Sequence, residues 1–421
     1  MLYYYEIEGR HPLEGKLAVL AAKNVVLPMM AASLLSDTGV TALNNVPDIA
    51  DIRTMIKVIE RLGAIVEFDS ENGRLSIDAK SITSQEAPYD LVRKMRASFL
   101  VMGPLLARFG LACVSQPGGC AIGARPVDQH LKGLAKLGAK IGEEHGYTVA
   151  RTKRLHGGEI YFDRPSHTGT ENVMMAAVLA DGTTTIFNAA QDPEVADFAK
   201  FLNKMGANIS GAGTSNIVIN GVNSLDSVEH TPIGDRLEAG TYLLAALSTG
   251  GKIEVDGISP DNLTSTIFKL EEMGAKVHRG DNFIGITASG RVRPVEIITD
   301  PFPGFPTDLQ PQIMAVLSQA DGTSVIWERI FENRFIHVME LQRLGANITI
   351  LGDRATIVGV EKLEGAEIMA SDIRGGAGLV LAALAAKGNS IIQRVYHIDR
   401  GYQRLEEKLS GLGAKIVRKS R

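Results

Sequence analysis

Residues 240–286 read GTYLLAALSTGGKIEVDGISPDNLTSTIFKLEEMGAKVHRGDNFIGI. The first eight residues, 240–247, are apolar nearly all round, which predicts a helix buried on every side. A β-prone segment, 252–255, follows. The stretch 263–273 then alternates apolar and polar residues with one apolar face, which predicts a second helix nearer the surface. It closes on Met273-Gly274-Ala275, and a glycine just past a helix end fits a left-handed C-terminal cap. A pair of short strands comes last, the second at 283–286.

Outward from this stretch the same order returns. A Leu/Met-Gly-Ala tripeptide recurs six times, at Gly63, Gly138, Gly206, Gly274, Gly345 and Gly413. The intervals are 75, 68, 68, 71 and 68 residues, so the chain is six copies of one supersecondary unit. Further buried helices are expected at 172–179, 309–317 and 379–386, and further first strands at 184–187 and 390–394. The last copy is short of a strand, because after Gly413-Ala414 only 415–417 is β-prone. The segment 3–8 has strand composition but no helix before it, and we expect it to supply the missing strand. Residues 23–233 then form one three-repeat domain, and 1–22 with 234–421 form the other, so the chain crosses between halves twice.

Composition limits the function. The chain has 421 residues, 44 Lys+Arg against 48 Asp+Glu, and a net charge of −4. That balance argues against a nucleic-acid binder relying on a broad basic surface, but not against a local cationic cluster. Two cysteines exclude a disulfide framework and a four-thiolate zinc site. Histidines show no metal-ligand spacing, so neither metal nor cofactor is expected. No apolar run is long enough for a membrane span, and no basic segment precedes the apolar stretch 17–35. The expected location is cytoplasmic, and the expected state is a monomer without membrane partners.

Polar residues gather just ahead of the apolar helices: Lys23-Asn24, Arg96, Ser166-His167, Asp235-Arg236, Thr307-Asp308 and Asp372-Ile-Arg374. Arg125-Pro126, Arg334 and Arg400 lie at or near the starts of second helices. Cations at a positive helix end disfavour folding. Their recurrence points to bound anions, held by side chains and backbone N–H groups together. Asp235 and Asp372 also read as plain N-caps, and capping is the bland reading of Asp308. The run Pro117-Gly-Gly-Cys-Ala-Ile-Gly-Ala-Arg-Pro126 is a loop that carries a thiol, Cys120, close to Arg125, a setting that favours thiolate. Cys113 sits in an apolar strand and reads as core. No Gly-x-Gly-x-x-Gly or Gly-Lys-Ser/Thr phosphate loop occurs.

At these residues the sequence resembles the UDP-N-acetylglucosamine 1-carboxyvinyltransferase family of enolpyruvyl transferases, over nearly the whole chain. The motifs that carry the resemblance are Ala22-Lys-Asn24, Tyr89-Asp-Leu-Val-Arg-Lys-Met-Arg-Ala-Ser98, Pro117-Gly-Gly-Cys-Ala-Ile-Gly-Ala-Arg-Pro-Val-Asp128, Phe305-Pro-Thr-Asp-Leu-Gln-Pro-Gln312, Phe331-Glu-Asn-Arg-Phe335 and Tyr396-His-Ile-Asp-Arg-Gly-Tyr402. The resemblance implies a two-domain inside-out α/β barrel of six βαβαββ repeats, three per domain, closing on substrates in the cleft between them. It implies transfer of the enolpyruvyl group of phosphoenolpyruvate to the 3′-hydroxyl of UDP-N-acetylglucosamine with release of phosphate, the first committed step of peptidoglycan synthesis. Both substrates are polyanions, which fits local cations in an acidic chain.

By the same resemblance, Lys23, Asn24, Arg125 and Arg400 hold phosphoenolpyruvate. Arg96, Arg125, Pro126, Val127, Asp128, Gln129, Arg164, Ser166, His167, Asp308 and Ile330 line the nucleotide-sugar site, with Arg334 and Arg374 among the substrate-binding cations. Asp308 matches the carboxylate facing the sugar hydroxyl. Cys120 matches the loop thiol that donates a proton and forms an adduct with phosphoenolpyruvate. Three positions depart from the commoner pattern: Ala50 stands where Lys is common, Arg164-Pro-Ser-His-Thr168 replaces Lys-x-Ser-Val-Gly, and Leu100 replaces a bulky aromatic. Two rival readings remain. One is the shikimate-pathway enolpyruvyl transferase, which lacks the thiol loop. The other is an idle paralogue that binds nucleotide sugar, which the set Lys23, Cys120, Asp308 and Arg400 disfavours.

Overall fold

A computed structural model describes residues 3–116, 123 and 127–420. Among these, six four-stranded sheets repeat one topology. In the repeat quoted above, Lys252–Asp256 pairs in parallel with an edge strand and antiparallel with Phe283–Thr287, which pairs antiparallel with Lys276–Arg279. The edge strand comes from far away in sequence: it is Glu14–Ala18, with Val255 opposite Leu17. The first repeat is completed the same way, by Glu229–His230 beside Thr41–Leu43.

The N-terminal strand Tyr3–Glu8 lies between Asn389–Gln393 and Lys415–Ser420, antiparallel to both, so Tyr5 faces Ile392 on one side and Arg418 on the other. It is the strand missing from the sixth repeat. A polar network holds it there. The fully buried Tyr5 hydroxyl donates to Glu406 at 2.8 Å and accepts from Arg418, whose guanidinium also bonds Glu406 and Asp399. Burial and the Glu406 carboxylate raise the Tyr5 pKa, so the phenol stays a donor.

The contacts divide the chain into two compact units, one of residues 3–20, Gly123 and 234–420, and one of 21–116 with 127–233, so Gly123 falls outside the expected 23–233 domain. Local hydrogen bonds set the divide two residues ahead of Lys23. Ala21 and Ala22 donate to Asn45 and Ile233 in the second unit, while Asp235 donates to Leu20 in the first. Each unit has its own core.

In the first unit the centre of the core is three apolar helices, Arg236–Thr249, Gln310–Leu317 and Ile373–Ala385, packed on one another. Gly378 shows how closely they approach. A Cβ there would lie 2.6 Å from the Pro311 carbonyl oxygen, so a side chain would force the helices apart. In the second unit the corresponding helices are Lys23–Ala32, Met102–Phe109 and His167–Ala177. The outer helices, such as Ala50–Leu62 and Pro193–Lys204, bury one face.

All six tripeptide glycines take the left-handed conformation, with φ between 93° and 109°. Two substitutions separate backbone strain from crowding. At Gly345 a Cβ meets nothing within 4 Å, so Gly345→Ala should cost about 1–2 kcal/mol, the left-handed penalty alone. At Gly63 it would lie 2.7 Å from the Ser81 oxygen and the Thr83 nitrogen, and Gly63→Ala should cost clearly more. Denaturant midpoints of the two variants check the order.

Candidate functional site

Asp308 is the centre of the first unit's constellation. It sits in the single turn Thr307–Leu309 that leads into helix Gln310–Leu317. Its carboxylate does not cap that helix, which corrects the capping reading. Instead Oδ1 accepts from Arg334 at 3.0 Å and Oδ2 from Arg374 at 3.2 Å. The two arginine side chains are 3% and 4% exposed, whereas Asp308 keeps 28%. The carboxylate is therefore the accessible member of the trio. Asp235 and Asp372, by contrast, are true N-caps: each accepts from two backbone N–H groups of its helix.

Arg374 is the second residue of helix Ile373–Ala385, where the helix field opposes a cation. Burial also works against its charge, but Tyr402, Asp308 and Asp235 outweigh it and its pKa is raised. The Tyr402 ring lies under the guanidinium at 5.3 Å. Nε of Arg334 and Nη1 of Arg374 are buried and make no hydrogen bond among the described residues. Two fixed cations with donors to spare suit an anionic ligand.

The sequence reading missed Glu328, the last residue of strand Thr323–Glu328. Its carboxylate is 3% exposed and accepts from Thr299, Thr307 and the N–H groups of Ile330 and Phe331. It therefore fixes Ile330, and the residue next to Asp308, from beneath. The signal was present in the strand's alternation. Ser324, Ile326 and Glu328 share the buried face, so a carboxylate there must find partners. Arg400 ends the short helix Val395–Arg400, which packs on Ile373–Ala385, and is half-buried.

In the second unit, Lys23 opens helix Lys23–Ala32 and pairs with Asp51 at 3.4 Å, both buried. Asn24, beside it, is partly exposed. A second group forms at the start of helix His167–Ala177. Ser166 caps the helix by accepting from Gly169. Gln129 accepts from the Asp163 N–H and donates to Asp128, which brings the Val127–Asp128 segment to the Asp163–Arg164 turn. Arg164 is exposed, and Arg96 is near enough to act on His130.

His167 lies 3.2 Å from Glu171 and 3.6 Å from Asp192. Burial disfavours its charge, but these carboxylates outweigh it and raise its pKa well above the usual value. Burial pushes Glu171 up as well. The departure from the family's Val-Gly thus sets a partly exposed histidine against the buried Glu171 beside the predicted nucleotide residues. Leu100 is core, and Ala50 is an exposed helix start, so neither departure disturbs these groups.

Cys120, Arg125 and Pro126 lie outside the described residues. Cys113 is corrected: in strand Leu111–Ser115 the neighbours Ala112 and Val114 are buried, and Cys113 on the opposite face is only partly so. Among the described residues no group of His, Cys, Asp and Glu is arranged to hold a metal ion. Among the described residues no helix is long and apolar enough to cross a membrane.

Two buried histidines make stability depend on pH. Burial and nearby Arg96 push His130 down to about 3, and burial and Arg334 push His337 down to about 4. An unfolded histidine titrates near ~6.5, so below that pH the unfolded chain binds protons that the native chain refuses. Stability should fall on acidification from about pH 6.5 to 4, by roughly 1.4 kcal/mol per pH unit for each neutral histidine. His167 has the opposite sign: its contribution is complete below about pH 6.5 and is lost as pH rises through its raised pKa. Denaturant titration of His130→Gln should show a lower midpoint at neutral pH and a flatter acid limb than the wild type.

The EPSP synthase (3-phosphoshikimate 1-carboxyvinyltransferase) family pattern matches residues 7–409. The chain is 53% identical over 415 residues to UDP-N-acetylglucosamine 1-carboxyvinyltransferase 1 of Caldanaerobacter subterraneus subsp. tengcongensis, covering 99% of both chains. It is 53% identical over 418 residues to UDP-N-acetylglucosamine 1-carboxyvinyltransferase 2 of Carboxydothermus hydrogenoformans, again covering 99% of both. Among solved structures, the enolpyruvyl transferase NikO from Streptomyces tendae superposes with a TM-score of 0.89 at 25% identity, covering 100% of this chain and 99% of that one. An EPSP synthase from Acinetobacter baumannii shares the fold at 17% identity, with a TM-score of 0.75 and full coverage of both chains. With its six repeats, its arginine-held carboxylate and relatives matched end to end, this chain belongs to the enolpyruvyl transferase family.

Proposed function

We propose that this chain transfers the enolpyruvyl group of phosphoenolpyruvate to the 3′-hydroxyl of UDP-N-acetylglucosamine and releases phosphate, committing the sugar to peptidoglycan synthesis. The observation that carries the reading is Asp308, a partly exposed carboxylate clamped by two buried arginines rather than used as a cap. Such a group can orient a sugar hydroxyl and accept its proton as the new C–O bond forms. The hydroxyl oxygen adds to C2 of phosphoenolpyruvate, and a proton is delivered to C3 by Cys120. Loss of that methyl proton and of phosphate then restores the double bond. Lys23, Asn24, Arg125 and Arg400 hold phosphoenolpyruvate. Arg96, the segment from Arg125 to Gln129, Arg164, Ser166, His167, Ile330, Arg334 and Arg374 bind the nucleotide sugar. No cofactor takes part, and the enzyme works as a cytoplasmic monomer.

The names of relatives more than half identical over the full chain support this acceptor over shikimate 3-phosphate, as does the thiol of the Pro-Gly-Gly-Cys120 motif. Phosphate release tests it. Release is expected with phosphoenolpyruvate and UDP-N-acetylglucosamine, and none with shikimate 3-phosphate. Binding of the nucleotide sugar without any release would favour an idle, regulatory paralogue.

A further inference from the structure

We infer that Glu328 is a positioning residue for the reaction, tying the Asp308 turn and the Ile330 loop into one rigid piece. This rests on the function proposed above. Three segments separated in sequence meet on its one carboxylate. Oε1 accepts from Thr299 at 2.9 Å, at the end of strand Glu296–Thr299. The Thr307 hydroxyl, one residue before Asp308, reaches both oxygens at 3.1 and 3.0 Å. The N–H groups of Ile330 and Phe331 donate to Oε1 at 3.0 and 3.2 Å.

Around this knot the same segments bond each other. Arg329 N–H donates to the Thr299 hydroxyl at 3.0 Å, and Arg334 reaches the Thr307 carbonyl at 3.3 Å on its way to Asp308. A glutamate buried to 3% exposure is tolerated because neighbouring donors satisfy it, and it therefore holds them to one geometry. A neutral side chain of the same shape cannot do this fully. The amide introduced by Glu328→Gln has one acceptor oxygen in place of two and no charge, so its NH2 either faces the Ile330 and Phe331 N–H groups or forces the Thr307 hydroxyl to turn and accept. Glu328 touches neither substrate in this account. It acts through Thr307 on Asp308 and through the loop on Ile330.

The test compares wild type, Glu328→Gln, Thr307→Val, Thr307→Ser and the Glu328→Gln/Thr307→Val double variant, with kcat and both KM values taken per folded protein. Glu328→Gln should lower kcat at least tenfold and raise the KM for UDP-N-acetylglucosamine severalfold, leaving the KM for phosphoenolpyruvate within about twofold. Thr307→Val should lower kcat, Thr307→Ser should restore it, and the double variant should be no worse than the poorer single one. Hydrogen exchange at the Ile330 and Phe331 amides should speed up in Glu328→Gln. Kinetic constants within twofold of wild type in folded Glu328→Gln, or losses that multiply in the double variant, would overturn the inference. If Glu328→Gln does not fold, Thr307→Val and Thr307→Ser decide, and an unchanged kcat in Thr307→Val overturns it. A wild type that releases no phosphate would sink the reaction instead, and amide exchange would then decide the positioning role on its own.

Discussion

Asp308→Ala is expected to abolish most turnover, by roughly 10²- to 10⁴-fold, the usual range for removing a positioned general base. Nucleotide-sugar binding should weaken far less, because the other contacts remain. The variant should also lose stability, since Arg334 and Arg374 are left buried beside each other without their shared carboxylate. Breaking a fully buried pair costs about 3–5 kcal/mol, and the partial exposure of Asp308 puts the loss below that range. Asp308→Asn separates the two effects. Its amide oxygen still accepts from one arginine, so the variant should fold better than Asp308→Ala yet remain nearly as inactive. Near-normal turnover in folded Asp308→Asn would place the base elsewhere.

Cys120 carries the second large effect. A free thiol has a pKa of about 8.5, and neighbouring cations lower it. Arg125 is five residues further along a glycine-rich stretch of sequence. A thiol so placed divides its roles: the protonated form can give its proton to C3, and the ionised form is a good nucleophile toward a small electrophile. Fosfomycin, an epoxide phosphonate, has an anionic group like that of phosphoenolpyruvate and an epoxide that a thiolate opens. Time-dependent inactivation with one adduct at Cys120 is expected. Cys113 is the internal control: burial, Glu86 and Glu144 push its thiol up, so although partly exposed it should stay unmodified. Cys120→Asp keeps an acid that can donate a proton and should retain some activity while resisting the drug. Intact-mass analysis reads both outcomes. An unmodified wild type, or a modified Asp variant, would assign the loop thiol another purpose.

The architecture was legible because its determinants are local and repeated. Helix amphipathicity, a glycine cap and strand alternation each lie within a few residues, and sixfold recurrence filtered out chance. Even the placement of Tyr3–Glu8 followed from counting strands, since a sheet one strand short must recruit another. The edge strands Glu14–Ala18 and Glu229–His230 were harder to foresee, because their pairing is set by packing across more than 180 residues. The site was legible as a set of residue types but not as an arrangement. Asp308, Arg334 and Arg374 are separated by 26 and 66 residues, and nothing in the local sequence says that one carboxylate serves both cations. Cys113 was misread for a simpler reason. An apolar run was taken as wholly buried, although strand alternation places its third residue on the opposite face.

The central claim is a choice of chemistry and acceptor, and the most direct measurement is the mass and linkage of the product formed from phosphoenolpyruvate and UDP-N-acetylglucosamine. The account predicts a nucleotide sugar bearing one enolpyruvyl ether at the 3′-oxygen, formed in equal amount with phosphate and roughly 10²-fold or more slower with folded Asp308→Asn. Phosphate released without that ether, or an ether formed on shikimate 3-phosphate instead, would contradict it.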